Sequence, residues 1–96
     1  MTETELMARV VDACHQLDLK VYYVPDSRRG YPGFPDLMIL GRKMLFRELK
    51  SQTGRLTPAQ AEWLAGLRRA GCDANVWRPE HWPGEITAAL QQIAWR

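Results

Sequence analysis

Residues 33–50 read GFPDLMILGRKMLFRELK, and this stretch decides the fold. It contains two short apolar runs, Leu37–Leu40 and Met44–Leu49, separated by the turn-forming residues 41–43. Apolar runs of this length on either side of a three-residue, glycine-containing turn predict a β-hairpin. Because both runs carry apolar residues on alternating positions, we expect the hairpin to lie in the middle of a covered sheet.

The predicted hairpin brings two carboxylates together. With a loop of residues 41–43, Met38 lies opposite Phe46 and Asp36 lies opposite Glu48. Directly paired side chains have Cβ atoms about 4.5 to 5.5 Å apart, so two like charges there need compensation. Strand alternation places Lys50 on the face of Glu48. We expect that face to continue as core through four apolar side chains: Met38, Leu40, Met44 and Phe46.

An Asp, a Glu and a Lys in this arrangement suit phosphodiester hydrolysis. Carboxylates hold Mg²⁺, a hard cation that prefers oxygen ligands and retains water. Such a cation polarises phosphate and lowers the pKa of water, while Lys50 can orient or deprotonate the attacking water and offset developing charge. The structural alternative is an ion pair between Glu48 and Lys50 at the sheet end, with Asp36 capping the loop.

The flanking sequence predicts an α/β domain with a mixed sheet, in two or three layers and in the order α-β-β-β-α-β-α. Two helices begin with capping-box patterns, Thr2 with Glu5 and Thr57 with Gln60. On the first helix Glu3 falls on the apolar stripe. The predicted elements around the hairpin are a helix from Thr2 to about Leu17, a strand at Val21–Val24, a helix from Thr57 to Gly71, a strand at Ala74–Trp77 and a helix after Pro83.

The composition is that of one folded domain. The 96 residues are 46% hydrophobic and 25% charged, which excludes disordered and fibrous classes. No apolar run approaches the roughly 20 residues needed to cross a bilayer, and the N-terminal residues lack the pattern of a secretion signal, so we expect a cytoplasmic protein. Cys14 and Cys72 lie far apart in the chain, without CxxC spacing or clustered histidines, and are expected to be reduced core thiols.

The positive charge is concentrated around the hairpin. Residues 20–55 hold eight basic and three acidic residues, a net +5, whereas the rest of the chain carries −3. This segment favours a polyanionic partner, with a solvated basic face as the structural alternative. The candidates for contacting DNA phosphates are Arg28, Arg29, Arg55, Arg42 and Lys43, the last two at the hairpin tip away from the carboxylates. Tyr31 and Phe34 can stack on exposed bases, although Phe34 is favoured to pack against the core.

Several motifs together resemble a known family. Gly33-Phe34-Pro35-Asp36-Leu37 followed by Phe46-Arg47-Glu48-Leu49-Lys50 is similar to the PD-(D/E)xK nuclease signature. With residues 54–60 (GRLTPAQ) and Trp63-Leu64, the chain more narrowly resembles the virus-type replication-repair nuclease (VRR-NUC) domain, in its small stand-alone phage form, from about Thr2 to about Pro83. The resemblance implies a restriction-endonuclease-like core.

The resemblance also implies site residues and an activity. Metal would lie on Asp36, Glu48 and the Leu49 carbonyl, with the first-helix Glu3 as a further ligand, and the ion would be Mg²⁺ or Mn²⁺. Lys50 matches the catalytic lysine of the family. Gln60 matches a recurrent glutamine, although its place in a capping box explains it structurally.

The implied function is structure-selective cleavage of branched DNA in repair or recombination, leaving a 5′-phosphate and a 3′-hydroxyl. Holliday-junction resolution needs two symmetric cuts, so we expect a homodimer, with exposed parts of Trp63, Trp77, Trp82 and Trp95 as interface candidates. The alternatives are a non-catalytic nucleic-acid-binding module and a nuclease subunit that cuts only with a partner such as a helicase.

Overall fold

The computed structural model describes residues 1–23 and 31–95. Within them the helices and strands follow the predicted order, with one short 3₁₀ turn added before the last helix. The predicted strand residue Val24 lies outside the described residues. The elements are α1 (Glu3–Gln16), β1 (Lys20–Tyr23), β2 (Leu37–Leu40), β3 (Met44–Leu49), α2 (Pro58–Arg69), β4 (Asp73–Trp77), the 3₁₀ turn (Pro79–His81) and α3 (Gly84–Ile93).

The four strands form one mixed sheet in the order β1-β2-β3-β4. The pairs β1–β2 and β2–β3 are antiparallel, whereas β3 and β4 are parallel and are joined through α2. Met38 pairs with Phe46 and Leu40 with Met44, which confirms the predicted three-residue hairpin loop. The hairpin therefore occupies the two central positions of the sheet.

Helices lie on both faces of the sheet. On one face α1 and α3 cover the buried side chains of the central strands, including Leu37, Ile39, Leu45 and Leu49. On the other face α2 packs against β4 and, through Trp63 and Phe34, reaches Phe46. The domain thus has three layers, although α2 covers only the β3–β4 side of its face.

This partial cover corrects the expectation that the face carrying Glu48 continues as core. Leu40 and Met44 are 40% and 37% exposed, and Met38 and Phe46 are half-buried. The alternating residues of the same strands point to the α1–α3 side and are buried. The apolar residues of the hairpin are divided between a closed core and a surface because helices cover the two faces unequally.

Both capping boxes are present. Thr2 accepts from the Glu5 backbone N–H and Glu5 accepts from the Thr2 N–H, which lowers the pKa of the Glu5 carboxyl. Glu3 shares the stripe of Leu6, Val10 and Cys14 in helical periodicity, but it is exposed in this first turn, so the expectation that it is buried with them is wrong. A first-turn position keeps the carboxylate in water and beside the positive end of the helix.

The two thiols lie in different surroundings, and neither is in a disulfide. Cys14 is fully buried, which raises the pKa of its thiol to about 12. Cys72 is only half-buried, because it follows the end of α2 at Gly71 rather than facing the core. In the described ranges, no helix has the length and apolar character needed to span a bilayer.

Candidate active site

Asp36 and Glu48 meet where β2 begins and β3 ends. Leu37 pairs with Arg47, so the preceding Asp36 is the neighbour of Glu48 in the same register. The Asp36 Oδ2 atom accepts a hydrogen bond of 2.8 Å from the Leu49 backbone N–H. This bond holds the Asp36 carboxylate against the strand that carries Glu48, so the predicted carboxylate pair is brought together.

The two oxygens of Glu48 have unequal surroundings. Oε2 accepts a 3.1 Å hydrogen bond from Gln60 Nε2 and lies 3.6 Å from Lys50 Nζ. Oε1 is buried and, among the described residues, has no hydrogen-bond partner. A buried carboxylate oxygen without a donor is costly, since most buried polar atoms are paired. The arrangement leaves one oxygen of Glu48 available to a cation.

The fold disfavours the charge of Glu48. The residue is only 2% exposed. Burial first, and then the nearby Asp36 carboxylate, raise the pKa of Glu48 from 4.5 to about 8, although Lys50 opposes the shift. Two carboxylates in a poorly solvated site favour a proton or a cation between them. Glu48 is consequently the residue whose charge state responds to whatever binds there.

Gln60 uses both ends of its side-chain amide. Its Oε1 accepts from the Thr57 backbone N–H at 2.9 Å, which completes the capping box of α2. Its Nε2 donates to Glu48 Oε2. The capping role considered from the sequence and contact with the predicted site therefore coexist, and the first turn of α2 is fixed relative to Glu48.

The donor set fits a hard divalent cation. Asp36, the unpartnered Oε1 of Glu48 and the Leu49 carbonyl are all oxygen donors, and Mg²⁺ in proteins takes few protein ligands. Residues 1–23 and 31–95 contain no group of three or more His, Cys, Asp or Glu side chains placed to hold a metal. Glu3 is therefore not grouped with the two carboxylates, and its role as a ligand stays a prediction.

The predicted DNA-contacting residues differ in their surroundings. Arg55 is exposed in the loop between β3 and α2. Arg42 donates to the Gln92 carbonyl at 2.8 Å, at the end of α3, and Lys43 lies 3.0 Å from Asp73. These contacts give both hairpin-tip residues a structural role. Arg28 and Arg29 lie outside the described residues.

The Asp73 carboxylate forms ion pairs with two basic side chains of the hairpin, Lys43 and Arg47. Burial would raise the pKa of Asp73, but hydrogen bonds from Lys43 and Arg47 outweigh it, so the pKa of this carboxyl is lowered. Arg47 also donates to the Asp73 carbonyl at 2.9 Å and lies 4.8 Å from the ring centre of Trp77. The cluster joins β3 to β4 on the side away from Glu48.

A clamp on the loop after Lys50 was not anticipated from the sequence. Arg78 Nη1 donates to the Ser51 carbonyl at 2.8 Å and to the Gly54 carbonyl at 2.7 Å. Gln52 and Glu80 also exchange two hydrogen bonds across the same gap. The partners lie 24 to 28 residues apart in the chain, so no local pattern signals them. The clamp ties the loop between Lys50 and Arg55 to the segment after β4.

The aromatic residues have distinct environments. Phe34 packs edge-on against Phe46 and Trp63, as favoured for it from the sequence. Trp77 is 3% exposed, which removes it from the predicted interface set, and Trp82 packs against the core. Trp95 is 60% exposed. Only the last of these three offers a large surface to a partner.

Comparisons with known proteins agree with this architecture. The family model described as VRR-NUC domain matches residues 3–80. A solved structure described as a VRR_NUC domain protein superposes with a TM-score of 0.70 at 23% identity, over 97% of this chain and 88% of that chain. Archaeoglobus fulgidus Hjc, a Holliday junction resolvase, superposes with a TM-score of 0.49 at 23% identity, over 80% of this chain and 65% of that chain. None of the curated proteins matches.

Proposed function

The chain belongs to the VRR-NUC domain family, with a restriction-endonuclease-like fold, and from this premise we propose that it is a metal-dependent, structure-selective DNA endonuclease. The observation that carries the proposal is the buried Oε1 of Glu48, which has no hydrogen-bond partner in the described part of the chain and lies in a carboxylate pair with Asp36. An ion pair with Lys50 uses Oε2 and not Oε1, so a proton shared with Asp36 or a bound cation is left to satisfy Oε1.

Mg²⁺ is the proposed cofactor, with Mn²⁺ as a substitute. Asp36, Glu48 and the Leu49 carbonyl would hold it, and Glu3 is a further candidate. When bound, a divalent cation supplies charge to polarise a phosphate and lower the pKa of water. The Leu49 backbone N–H already orients the Asp36 carboxylate beside the strand that carries Glu48.

Lys50 is the proposed catalytic lysine, which would orient the attacking water or, in its neutral form, help to deprotonate it. Its ammonium lies 3.6 Å from Glu48 Oε2, and its side chain is only 12% exposed. A cation held at this position can stabilise the negative charge that develops on the phosphate oxygens during hydrolysis. Gln60 acts through Glu48, because its hydrogen bond occupies Oε2 and orients the carboxylate.

DNA is the proposed substrate, and Arg55 the described residue best placed to contact its backbone. Arg55 is exposed and lies in the loop that the Arg78 clamp holds next to Lys50. Phosphate contacts of this kind position a duplex without reading its sequence. Arg28 and Arg29 remain candidates for the same role, whereas Arg42 and Lys43 are engaged at the hairpin tip.

Cleavage of a four-way junction is the proposed specialised activity, and it requires two active sites. A single domain has one carboxylate pair and cuts one strand at a time, so we propose that the junction-cutting form is a homodimer. Sedimentation at micromolar concentration, with and without junction DNA, tests this. If only monomers sediment under both conditions, nicking or flap cleavage replaces junction resolution.

Cleavage assays test the proposed activity. Supercoiled plasmid and a labelled four-way junction are incubated with Mg²⁺, Mn²⁺ or EDTA. Wild-type protein should cut only with metal, and Asp36→Ala and Lys50→Ala should each lower the rate by at least about a hundredfold. Asp12→Asn, which alters an exposed carboxylate on α1, is the matched control and should cut like the wild type.

The outcomes separate the alternatives. DNA binding without cleavage under any metal condition would favour a binding module or a subunit that requires a partner. Cleavage that survives Asp36→Ala would show that the reaction occurs elsewhere on the molecule.

A further inference from the structure

A cavity of about 820 Å³ lies beside α2, outside the carboxylate site. Tyr31 and Pro32 form one wall, and the side of α2 from Ala59 onward, together with its C-cap Ala70, forms the other. Its volume is within the range of small-molecule sites, about 300 to 1,000 Å³. We call it the Tyr31 cavity. Asp36, Glu48 and Lys50 do not line it.

A row of aromatic contacts connects the Tyr31 cavity to the active-site strand. The ring centres of Tyr31 and Trp63 are 5.6 Å apart, those of Trp63 and Phe34 are 5.1 Å apart, and those of Phe34 and Phe46 are 6.3 Å apart. Phe46 lies on β3 two residues before Glu48, on the same face. The row of rings therefore runs from the cavity to the strand that carries Glu48.

The wall formed by the loop is preorganised. Gly33 has a φ of +86°, and a Cβ there would lie 2.6 Å from the Ala59 carbonyl carbon, so only glycine permits this close approach of loop and helix. Tyr31 nevertheless remains 73% exposed, although its ring is held edge-on to Trp63. An aromatic ring that is both oriented and exposed can accept a flat ligand with little loss of conformational entropy.

The charged groups of the cavity also favour one occupant. Glu62 and Arg69 lie in its lining, so an acceptor and a cation border the aromatic walls. A nucleotide offers a flat apolar base to the rings, amino groups to a carboxylate and a phosphate to an arginine. Both side chains are exposed, and an apolar peptide segment would use the rings but make no contact with either charge.

We propose that the Tyr31 cavity binds an unpaired nucleobase of the DNA substrate, stacked against Tyr31 and Trp63. The proposal rests on the proposed nuclease function and adds a reason for structure selectivity. A base in an intact duplex is stacked between its neighbours and does not reach the cavity, whereas a base at a junction, flap or gap does. Stacking on aromatic side chains tolerates any base, so the cavity selects DNA geometry and not sequence.

Binding measured in EDTA tests this without cleavage. Three labelled DNAs are compared: a single strand, the same strand with abasic sites throughout, and a blunt duplex. Stacking of one base contributes about 1 to 3 kcal/mol, so Tyr31→Ala should weaken binding of the ordinary single strand by about 5- to 100-fold. It should leave the abasic strand and the duplex unchanged, and Tyr31→Phe should restore the affinity because it keeps the ring.

Tyr22→Ala is the matched control, since Tyr22 is 61% exposed on β1 and does not line the cavity. It should bind all three DNAs like the wild type. Equal binding of ordinary and abasic strands by the wild type, including no binding of either, would overturn the proposal. An equal loss on all three DNAs, or a loss of dimer on sedimentation of Tyr31→Ala, would assign the cavity to another role. The base preference is measured as binding without metal, so it is independent of cleavage. The proposed base site and the proposed nuclease activity can therefore each fail while the other holds.

Discussion

Replacing Glu48 by glutamine removes a carboxylate whose charge the fold disfavours. In the metal-free protein burial and the neighbouring Asp36 raise the pKa of Glu48 to about 8, so its protonated form is favoured over much of the neutral range. The folded-state pKa lies above the ordinary value of 4.5. The stabilising contribution of this group is therefore fully present below about pH 4.5 and is lost as the pH rises to about 8.

The magnitude follows from the size of the shift. One pKa unit corresponds to about 1.4 kcal/mol, so the wild type should lose roughly 2 to 3 kcal/mol of unfolding free energy relative to Glu48→Gln between pH 5 and pH 7. Glutamine does not titrate, and its side-chain oxygen still accepts from Gln60. The variant should accordingly be the more stable protein at pH 7 and above when no metal is present.

Urea unfolding in EDTA at pH 5, 6, 7 and 8 measures the difference. Asp12→Asn serves as the control, because it removes an exposed carboxylate and should follow the wild-type curve. Adding Mg²⁺ at pH 7 should stabilise the wild type and leave Glu48→Gln unchanged, since metal binding favours the ionised folded state. If the unfolding free energies of wild type and Glu48→Gln change in parallel from pH 5 to pH 8, burial and like charge do not raise the pKa of Glu48.

Substitutions at three further positions, Gly33, Gln60 and Arg78, test the supports of the site. Gly33→Ala should lower the unfolding free energy by roughly 2 to 4 kcal/mol in the urea titration, because φ is +86° and the new Cβ meets the backbone of α2. Gly66→Ala is the control and should not destabilise the protein, since a Cβ there has nothing within 4 Å. Gln60→Ala and Thr57→Ala both remove the helix cap, and each should lower the unfolding free energy by about 1 kcal/mol. Only Gln60→Ala should also lower kcat in the plasmid assay. Equal kcat values for the two variants would mean that Gln60 acts only as a cap. Arg78→Lys and Arg78→Met should both raise KM for DNA several-fold, because a single ammonium does not span the two carbonyls that Arg78 holds. The melting temperature of Arg78→Lys should change little. An unaltered KM would mean that the clamp does not position the loop.

Local patterns predicted the elements that depend on neighbouring residues. The turn at residues 41–43 and the alternation of apolar residues were enough to predict the register, since a three-residue loop determines which positions face each other. Two capping boxes marked the starts of α1 and α2 correctly. The register in turn predicted that Asp36 lies opposite Glu48, and this prediction required no knowledge of the helices.

Local patterns did not predict which face of the sheet each helix covers. Glu3 shares the apolar stripe in helical periodicity, yet it is exposed, because the first turn of α1 extends beyond the packed part of the helix. Met44 and Leu40 alternate correctly, yet they lie on the surface, because α2 covers only the other side of that sheet face. Periodicity identifies a face but does not identify its neighbour.

What the sequence by itself determined is therefore the order of elements, the hairpin register and the carboxylate pair, because these follow from turn length, capping and alternation within short stretches. The tertiary structure alone decided how Glu48 is surrounded. Gln60 and Lys50 both contact Oε2, and Oε1 is buried without a donor in the described part of the chain. Arg78 binds the loop that follows Lys50, although it lies 24 residues after Gly54 in the chain. Such contacts join segments distant in the chain, and their geometry exists only once the helices have packed on the sheet.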